Sequence, residues 1–320
     1  HDMGGAGTGN GMFNWGLNVR SVMRGNEVYN IFRGSVSAGD AGCLNLDSGA
    51  QDCIVEYNYV HDSQGMGMCC YSYASGAKPA GVGDWTNNTF RYNVVQNCGT
   101  ERFGAFVVLG DDKDGCDVYN NTFIQTSTVS GTAIVLYDTT AYAATLTKNF
   151  RFYNNIFYAA SNGVVFINMA SSTGLQADTF FLNNLYYPVT GTNQVKWFGT
   201  DYSTVVAWVA AATNKDTGAV TADPALLDAF TATVFDDPTL ISTLTKVTPT
   251  SVASPVVDAG LNLASSPYNF TGITRDFANN PPLHGAGYDI GAIEFGSTRN
   301  AHFHLARRNQ SGINFFGSRR

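Results

Sequence analysis

Apolar and polar positions along this chain recur in a six-residue unit, apolar-x-x-Asn-x-apolar. Six segments carry it: Met23-Arg24-Gly25-Asn26-Glu27-Val28, Val55-Glu56-Tyr57-Asn58-Tyr59-Val60, Phe90-Arg91-Tyr92-Asn93-Val94-Val95, Val118-Tyr119-Asn120-Asn121-Thr122-Phe123, Phe152-Tyr153-Asn154-Asn155-Ile156-Phe157 and Phe181-Leu182-Asn183-Asn184-Leu185-Tyr186. The asparagines are 28 to 35 residues apart. A unit recurring at this period signals a stacked repeat in which each copy mainly contacts its neighbours. Two short strands flanking a polar bend fit one turn of a coil, with the bend asparagines of successive turns hydrogen-bonded in a ladder. Asparagine also tolerates the left-handed backbone that such a bend needs.

A second, glycine-opened run follows each bend: Gly42-Cys43-Leu44-Asn45-Leu46, Gly67-Met68-Cys69-Cys70-Tyr71, Gly104-Ala105-Phe106-Val107-Val108-Leu109, Gly131-Thr132-Ala133-Ile134-Val135-Leu136 and Gly163-Val164-Val165-Phe166-Ile167. These runs add a further strand to each turn. They are too short, and too rich in β-branched and aromatic residues, for amphipathic helices. The pattern predicts an all-β parallel β-helix of about six to eight turns, with loops absorbing the variable spacing.

Residues 10–200 resemble the right-handed parallel β-helices of the pectate-lyase-like superfamily. The resemblance implies that the asparagine bend joins the second and third strands of each turn. It also implies that the glycine-opened strand is the first, with its outer face forming a substrate groove. The fold implies no particular reaction.

Residues 1–200 are therefore expected to form the solenoid, with residues 1–22 as an incomplete first turn open to a stacking partner. Residues 201–296 change character. Ser203 to Ala212 reads as a short helix carrying Val205, Val206, Trp208 and Val209, and the phrases Ser254-Pro255-Val256-Val257-Asp258-Ala259-Gly260 and Asp289-Ile290-Gly291-Ala292-Ile293-Glu294-Phe295 follow. This region resembles the C-terminal part of bacterial choice-of-anchor Q domain proteins, which implies an extracellular protein with an irregular C-terminal cap. Residues 297–320 form a basic tail, read as disordered, non-native or a contact for an acidic surface. The chain starts at His1, as expected of a mature or trimmed form.

Net charge is −7, and removing the five arginines of the tail leaves −12 on the body. That balance argues against nucleic acid as a partner. No apolar run is long enough to span a membrane. All six cysteines lie within the first 116 residues. Cys53 and Cys116 fall in one column two turns apart, too far to bond. Cys43 with Cys69 or Cys70 is the favoured disulfide, and buried thiols packing as small apolar residues are the alternative.

Chemistry is expected on and beside the groove. Asp111, Asp112 and Asp114 flank Lys113 in an acidic run that reads as a Ca²⁺ site, as a glycosidase carboxyl pair or as a solvated turn. Asp47 and Asp138 end corresponding strands and would complete an acidic stripe with Asp111. His61, beside Asp62, is a candidate base, and Arg102, beside Glu101, could neutralise a uronate. The superfamily resemblance adds an Arg or Lys base, for which Arg102, Lys113 and Lys78 are candidates. The long loop from Tyr71 to Asn88 offers Tyr73, Lys78 and Trp85 for sugar stacking and contact. The expectation is a secreted bacterial protein acting on polysaccharide, as a lyase or glycoside hydrolase. The alternative is a non-catalytic glycan-binding, adhesin or self-assembling protein.

Overall fold

The computed structural model describes residues 10–32, 41–73, 77–101, 103–126, 132–138, 147–160, 163–169, 178–188, 192, 194–211, 216–235, 237–283 and 285–296. Three parallel sheets wind into a β-solenoid. The first sheet stacks the glycine-opened strands Met12–Asn14, Leu44–Leu46, Met68–Ser72, Phe103–Gly110, Thr132–Asp138, Ile167–Met169 and Val195–Trp197, and ends on antiparallel Thr200–Tyr202. The second includes Trp85–Arg91, Lys113–Tyr119, Lys148–Tyr153 and Thr179–Leu182. The third holds Glu27–Tyr29, Tyr59–Ser63, Val94–Cys98, Thr122–Gln125, Ile156–Ala159 and Leu185–Tyr187. The coil makes about five turns, fewer than the six to eight expected. Most of the described residues beyond 220 pack along the outside of the coil and add no turn to it.

The asparagine ladder runs the length of the coil at the bend between the second and third sheets. Nδ2 of Asn58 donates to Oδ1 of Asn93 at 2.9 Å, Asn93 to Asn121 at 2.9 Å, Asn121 to Asn155 at 3.0 Å and Asn155 to Asn184 at 2.9 Å. The same Oδ1 atoms accept the backbone N–H of the preceding asparagine. The second Nδ2 hydrogen reaches back one rung to the carbonyl of that unit's first apolar residue, as in Asn93 to Val55 and Asn121 to Phe90. Each interior amide thus has both donors and its acceptor engaged, the condition for burying it.

The left-handed residue is the one before each ladder asparagine: Gly25, Tyr57, Tyr92, Asn120, Asn154 and Asn183, with φ from 50° to 67°. The sequence reading had assigned that conformation to the ladder asparagine itself. The ladder also continues one step beyond the six units, onto the carboxylate of buried Asp216, which accepts from Asn184 and from the Tyr186 hydroxyl.

Inside, Phe90, Phe106, Phe123, Phe152, Phe157 and Phe181 stack or meet edge to face. The expected helix covers the C-terminal end of this core. It spans Val205–Ala211, is capped by Thr204 Oγ1 accepting from Ala207 N, and buries Val205 and Trp208. The outward side of the ladder bend carries a second file, Tyr57, Tyr92, Asn120, Asn154 and Asn183. Residues 256–295 dock on it: Asn183 donates to the Ala259 carbonyl, Asn154 to that of Leu261, and Asn120 to those of Asp289 and Gly291. At Gly291 a Cβ would lie 2.5 Å from Ile156 Cδ1, and φ is 104°, so only glycine fits. Residues 226–247 cover the outer face of the third sheet through Leu226, Ala229, Ile241, Leu244 and Val247. The tail 297–320 lies outside the described residues.

None of the six cysteines is disulfide-bonded, and all are buried. Cys53 and Cys116 do share a column, with Asn88 between them.

Replacing Asn121 by Ala strips partners from Asn93 and from the Phe90 carbonyl, and should cost about 3–5 kcal/mol of unfolding free energy in urea. Asn26→Ala, at the part-buried end of the ladder, should cost only about 1 kcal/mol; equal losses would contradict the ladder account. Burial raises the Asp216 carboxyl from 3.8 to about 7, against the hydrogen bonds that lower it. The unfolded chain therefore loses this proton at lower pH than the folded one, and stability falls as pH rises through that window. Asp276 and Asp289, each raised to about 6 by burial, slope the same way. Asp216→Asn should reduce the stability loss measured between about pH 5 and about pH 8; an unchanged loss would clear Asp216 of this role.

Candidate functional site

The polar residues singled out in the sequence gather mainly on the first bend, where the chain passes from the first sheet to the second. Asp47 occupies this bend in one rung, Tyr73, Lys78 and Asp84 in the next, and Asp111 and Asp112 in the one after. The rungs pack tightly here: a Cβ on Gly110, whose φ is 71°, would fall 1.9 Å from the Ser72 carbonyl oxygen.

The three carboxylates of the acidic run diverge. Asp111 turns inward and is 2% exposed, with Thr147 Oγ1 3.4 Å from its Oδ1. Asp112, in a left-handed conformation, turns outward, with Lys78 Nζ 3.9 Å from its Oδ2. Asp114 starts down the second sheet and meets Lys148 at 3.2 Å and Asn149 Nδ2 at 2.6 Å. Strand alternation and the bend thus hand each acid its own partner. Among the described residues no group of three or more His, Cys, Asp or Glu side chains is arranged to hold a metal ion.

Lys113 lies between these acids but is fully buried, donating to the Leu109 carbonyl at 2.8 Å and the Asp111 carbonyl at 3.3 Å. Burial lowers its amine to about 8, although Cys70, Asp111, Cys69 and Asp112 favour the charged form. It ties the bend together from inside and does not reach the surface as a base would.

The expected acidic stripe does not form. Parallel register places Asp138 against Leu109 and Leu109 against Tyr71, while Asp111 lies two residues farther along its chain. The side chain of Asp138 lies outside the described residues. The outer face of the first sheet is apolar at mid-coil, where Cys69, Val107 and Leu136 are buried in a cluster with Met66, Phe103 and Ala133. An acidic groove is therefore absent there among the described residues.

Trp85 is a core residue and cannot stack on a sugar. It is fully buried, donates Nε1–H to the Leu46 carbonyl at 3.0 Å and stacks 5.9 Å from Phe150. Tyr73 stays half-buried at the rim, edge-on to Tyr71 at 5.6 Å. Lys78 pairs with exposed Asp84 as well as Asp112.

His61 lies in a third-sheet strand, not on a loop entering the groove. Its ring is buried between Tyr29 and Tyr59, at 4.9 and 4.3 Å, with Nε2 3.1 Å from Glu27 and Nδ1 3.2 Å from Asp62. The hydrogen bond from His61 is the largest cause holding the Asp62 carboxyl below its ordinary value. Glu27 also accepts the backbone N–H of Phe235, so this cluster anchors the segment covering the third sheet. Glu101 is exposed on the bend between the third and first sheets, and Arg102 lies outside the described residues.

The sequence reading overlooked Tyr71, whose alternation with inward Cys70 put it on the outer face, and Lys148, one period after Asp114 in the second sheet. No family model matches this chain, and no curated protein matches it either. No helix among the described residues is long and apolar enough to cross a membrane.

Trp85→Ala should lower unfolding free energy by about 3–5 kcal/mol through the cavity it leaves. Tyr73→Ala should change it by about 0.5 kcal/mol or less. Comparable losses in urea titrations would show that Tyr73 is also built into the core.

Proposed function

We propose that this protein is an extracellular glycan-binding β-solenoid that engages an extended, largely neutral polysaccharide along its first bend. One observation carries this reading: Tyr73, Lys78, Asp84 and Asp112 present partly open aromatic and charged groups on neighbouring rungs, whereas the acid–base candidates Asp111, Lys113 and His61 are buried with partners. Tyrosine edges and faces bury the apolar side of a sugar ring while leaving its hydroxyls to polar neighbours. Stacked rungs repeat about every 4.8 Å, which suits a ligand that runs along the coil rather than into a pocket.

The charge on the bend supports a neutral ligand. Lys78 is matched by Asp84 and Asp112, and Lys148 by Asp114, so the described residues of the bend offer no unmatched cationic row for a polyuronate. The likeness to pectate-lyase-like β-helices, and that of the two C-terminal phrases to choice-of-anchor Q proteins, supports a secreted bacterial setting. Cleavage is the second reading. It draws on the same carboxylates, with Asp112 as the acid most open to a substrate.

Affinity electrophoresis and pull-down against a panel of neutral and acidic polysaccharides would test this. Binding to at least one neutral glycan is expected, weakened about tenfold or more by Tyr73→Ala and by Asp112→Asn. A chelator should change nothing, and no new reducing or unsaturated ends should appear. Unchanged binding in both variants would remove the first bend as the site. Turnover lost in Asp112→Asn would replace binding with catalysis.

A further inference from the structure

The six thiols are not evenly spread through the interior. Cys43 and Cys98 are side-chain neighbours, and so are Cys70 and Cys116. Independent geometry places the first pair together: Cys43 Sγ lies 3.0 Å from Ser63 Oγ, and Ser63 is the direct parallel neighbour of Cys98. The second pair projects into the core from the first and second sheets, both members belonging to the main apolar cluster. Each pair joins consecutive rungs. Cys43 opens the first-sheet strand one rung before the strand that ends at Cys98, and Cys70 lies one rung before Cys116. Cys53 and Cys69 are placed differently. Cys53 Sγ faces the backbone carbonyls of Asn18 and Gln51, and Cys69 faces outward from the first sheet.

We propose that Cys43 with Cys98, and Cys70 with Cys116, are two disulfide-forming pairs, oxidised as the chain folds, each locking one rung of the coil to the next. The inference does not rest on glycan binding. It differs from the pairing expected from the sequence, which joined Cys43 to Cys69 or Cys70. That expectation considered neighbours within one sheet, while these contacts cross the interior between sheets.

The reaction is thiol–disulfide exchange with a small-molecule disulfide as oxidant. A protein thiolate attacks the oxidant and releases one thiol, and the second protein thiolate then attacks the mixed disulfide and releases the other. Two protein S–H bonds and one oxidant S–S bond are exchanged for one protein S–S bond and two free oxidant thiols. The protein sulfurs are oxidised and the oxidant sulfurs reduced. Burial pushes the Cys70 and Cys98 thiols well up, so the folded core holds little thiolate, and the exchange belongs to the folding chain.

The Cys43–Cys98 lock falls where the coil is weakest in backbone pairing, whereas the Cys70–Cys116 lock joins rungs of longer strands. The early strands of the coil are short, as in Asn18–Val19, Leu44–Leu46 and Ala50–Gln51, against the eight residues of Phe103–Gly110. Cross-links closing long loops restrict the unfolded chain most.

The test is to refold the reduced full chain with oxidised and reduced glutathione, trap thiols by alkylation in denaturant, and map unreduced peptides by mass spectrometry. The expected product lacks four hydrogen atoms, shows only the Cys43–Cys98 and Cys70–Cys116 links, and carries label only on Cys53 and Cys69. Its denaturation midpoint should exceed that of the reduced protein. The Cys53→Ser/Cys69→Ser variant should give the same two links. Six labelled cysteines, any other linked pair, or loss of the links in that variant would overturn the proposal.

Discussion

The fold depends on one side chain having the right number of hydrogen-bonding groups. A primary amide has two N–H donors and an acceptor oxygen with two lone pairs. At the ladder bend, one donor goes to the asparagine of the next rung, the other to a carbonyl of the previous rung, and the oxygen accepts twice. The file is thereby sealed from water with no polar atom orphaned, and the rung spacing is set by amide geometry as well as by the sheets. Aspartate has the acceptors but, when ionised, no donor. It can therefore receive the ladder but not pass it on, which explains why Asp216 stands as the last rung; burial, against these hydrogen bonds, raises its carboxyl to about 7.

The repeat was legible because the ladder demands one residue type at one place, and no other side chain replaces it at comparable cost. The glycine-opened strands and the short helix could be read for a similar reason: backbone geometry and core volume constrain them directly. Asp216 escaped because it meets the same hydrogen bonds with a different residue and lacks the flanking apolar positions. The left-handed position was misassigned because Asn120-Asn121, Asn154-Asn155 and Asn183-Asn184 are doublets, and either member tolerates that backbone. The tyrosines of the earlier rungs, Tyr57 and Tyr92, hold the conformation just as firmly.

The chemistry was less legible, since function depends on which way a side chain points and what covers it. Asp111, Asp112 and Asp114 look like a cluster along the chain, yet one turns inward and the other two face different lysines. Trp85 opens a strand instead of tipping a loop, so an apparent sugar platform became core. His61 reads as a candidate base beside Asp62, yet its ring is buried between tyrosines in a cluster that anchors residues 229–235, more than 160 positions away in sequence. No local pattern encodes a cover of that kind.

The same cover narrows where a partner can bind. The third sheet and the ladder bend lie beneath residues 226–295, the helix closes one end of the coil, and the first sheet is apolar and buried at mid-coil. Among the described residues the first bend, the outer face of the second sheet, the bend carrying Glu101 and the N-terminal end remain, and on the first two of these Lys78, Lys148 and Arg151 each meet an acid on the same or a neighbouring rung. Although the body carries a net negative charge, this strip is locally balanced, because parallel stacking sets residues of opposite sign beside one another, as Asp114 beside Lys148 and Asp117 beside Arg151. A charged polymer gains little from such a surface. A neutral one loses little water-exposed charge on docking and can draw on ring contacts and hydroxyl hydrogen bonds at Tyr73 and its neighbours, and that balance makes the ligand's charge the most informative property to vary.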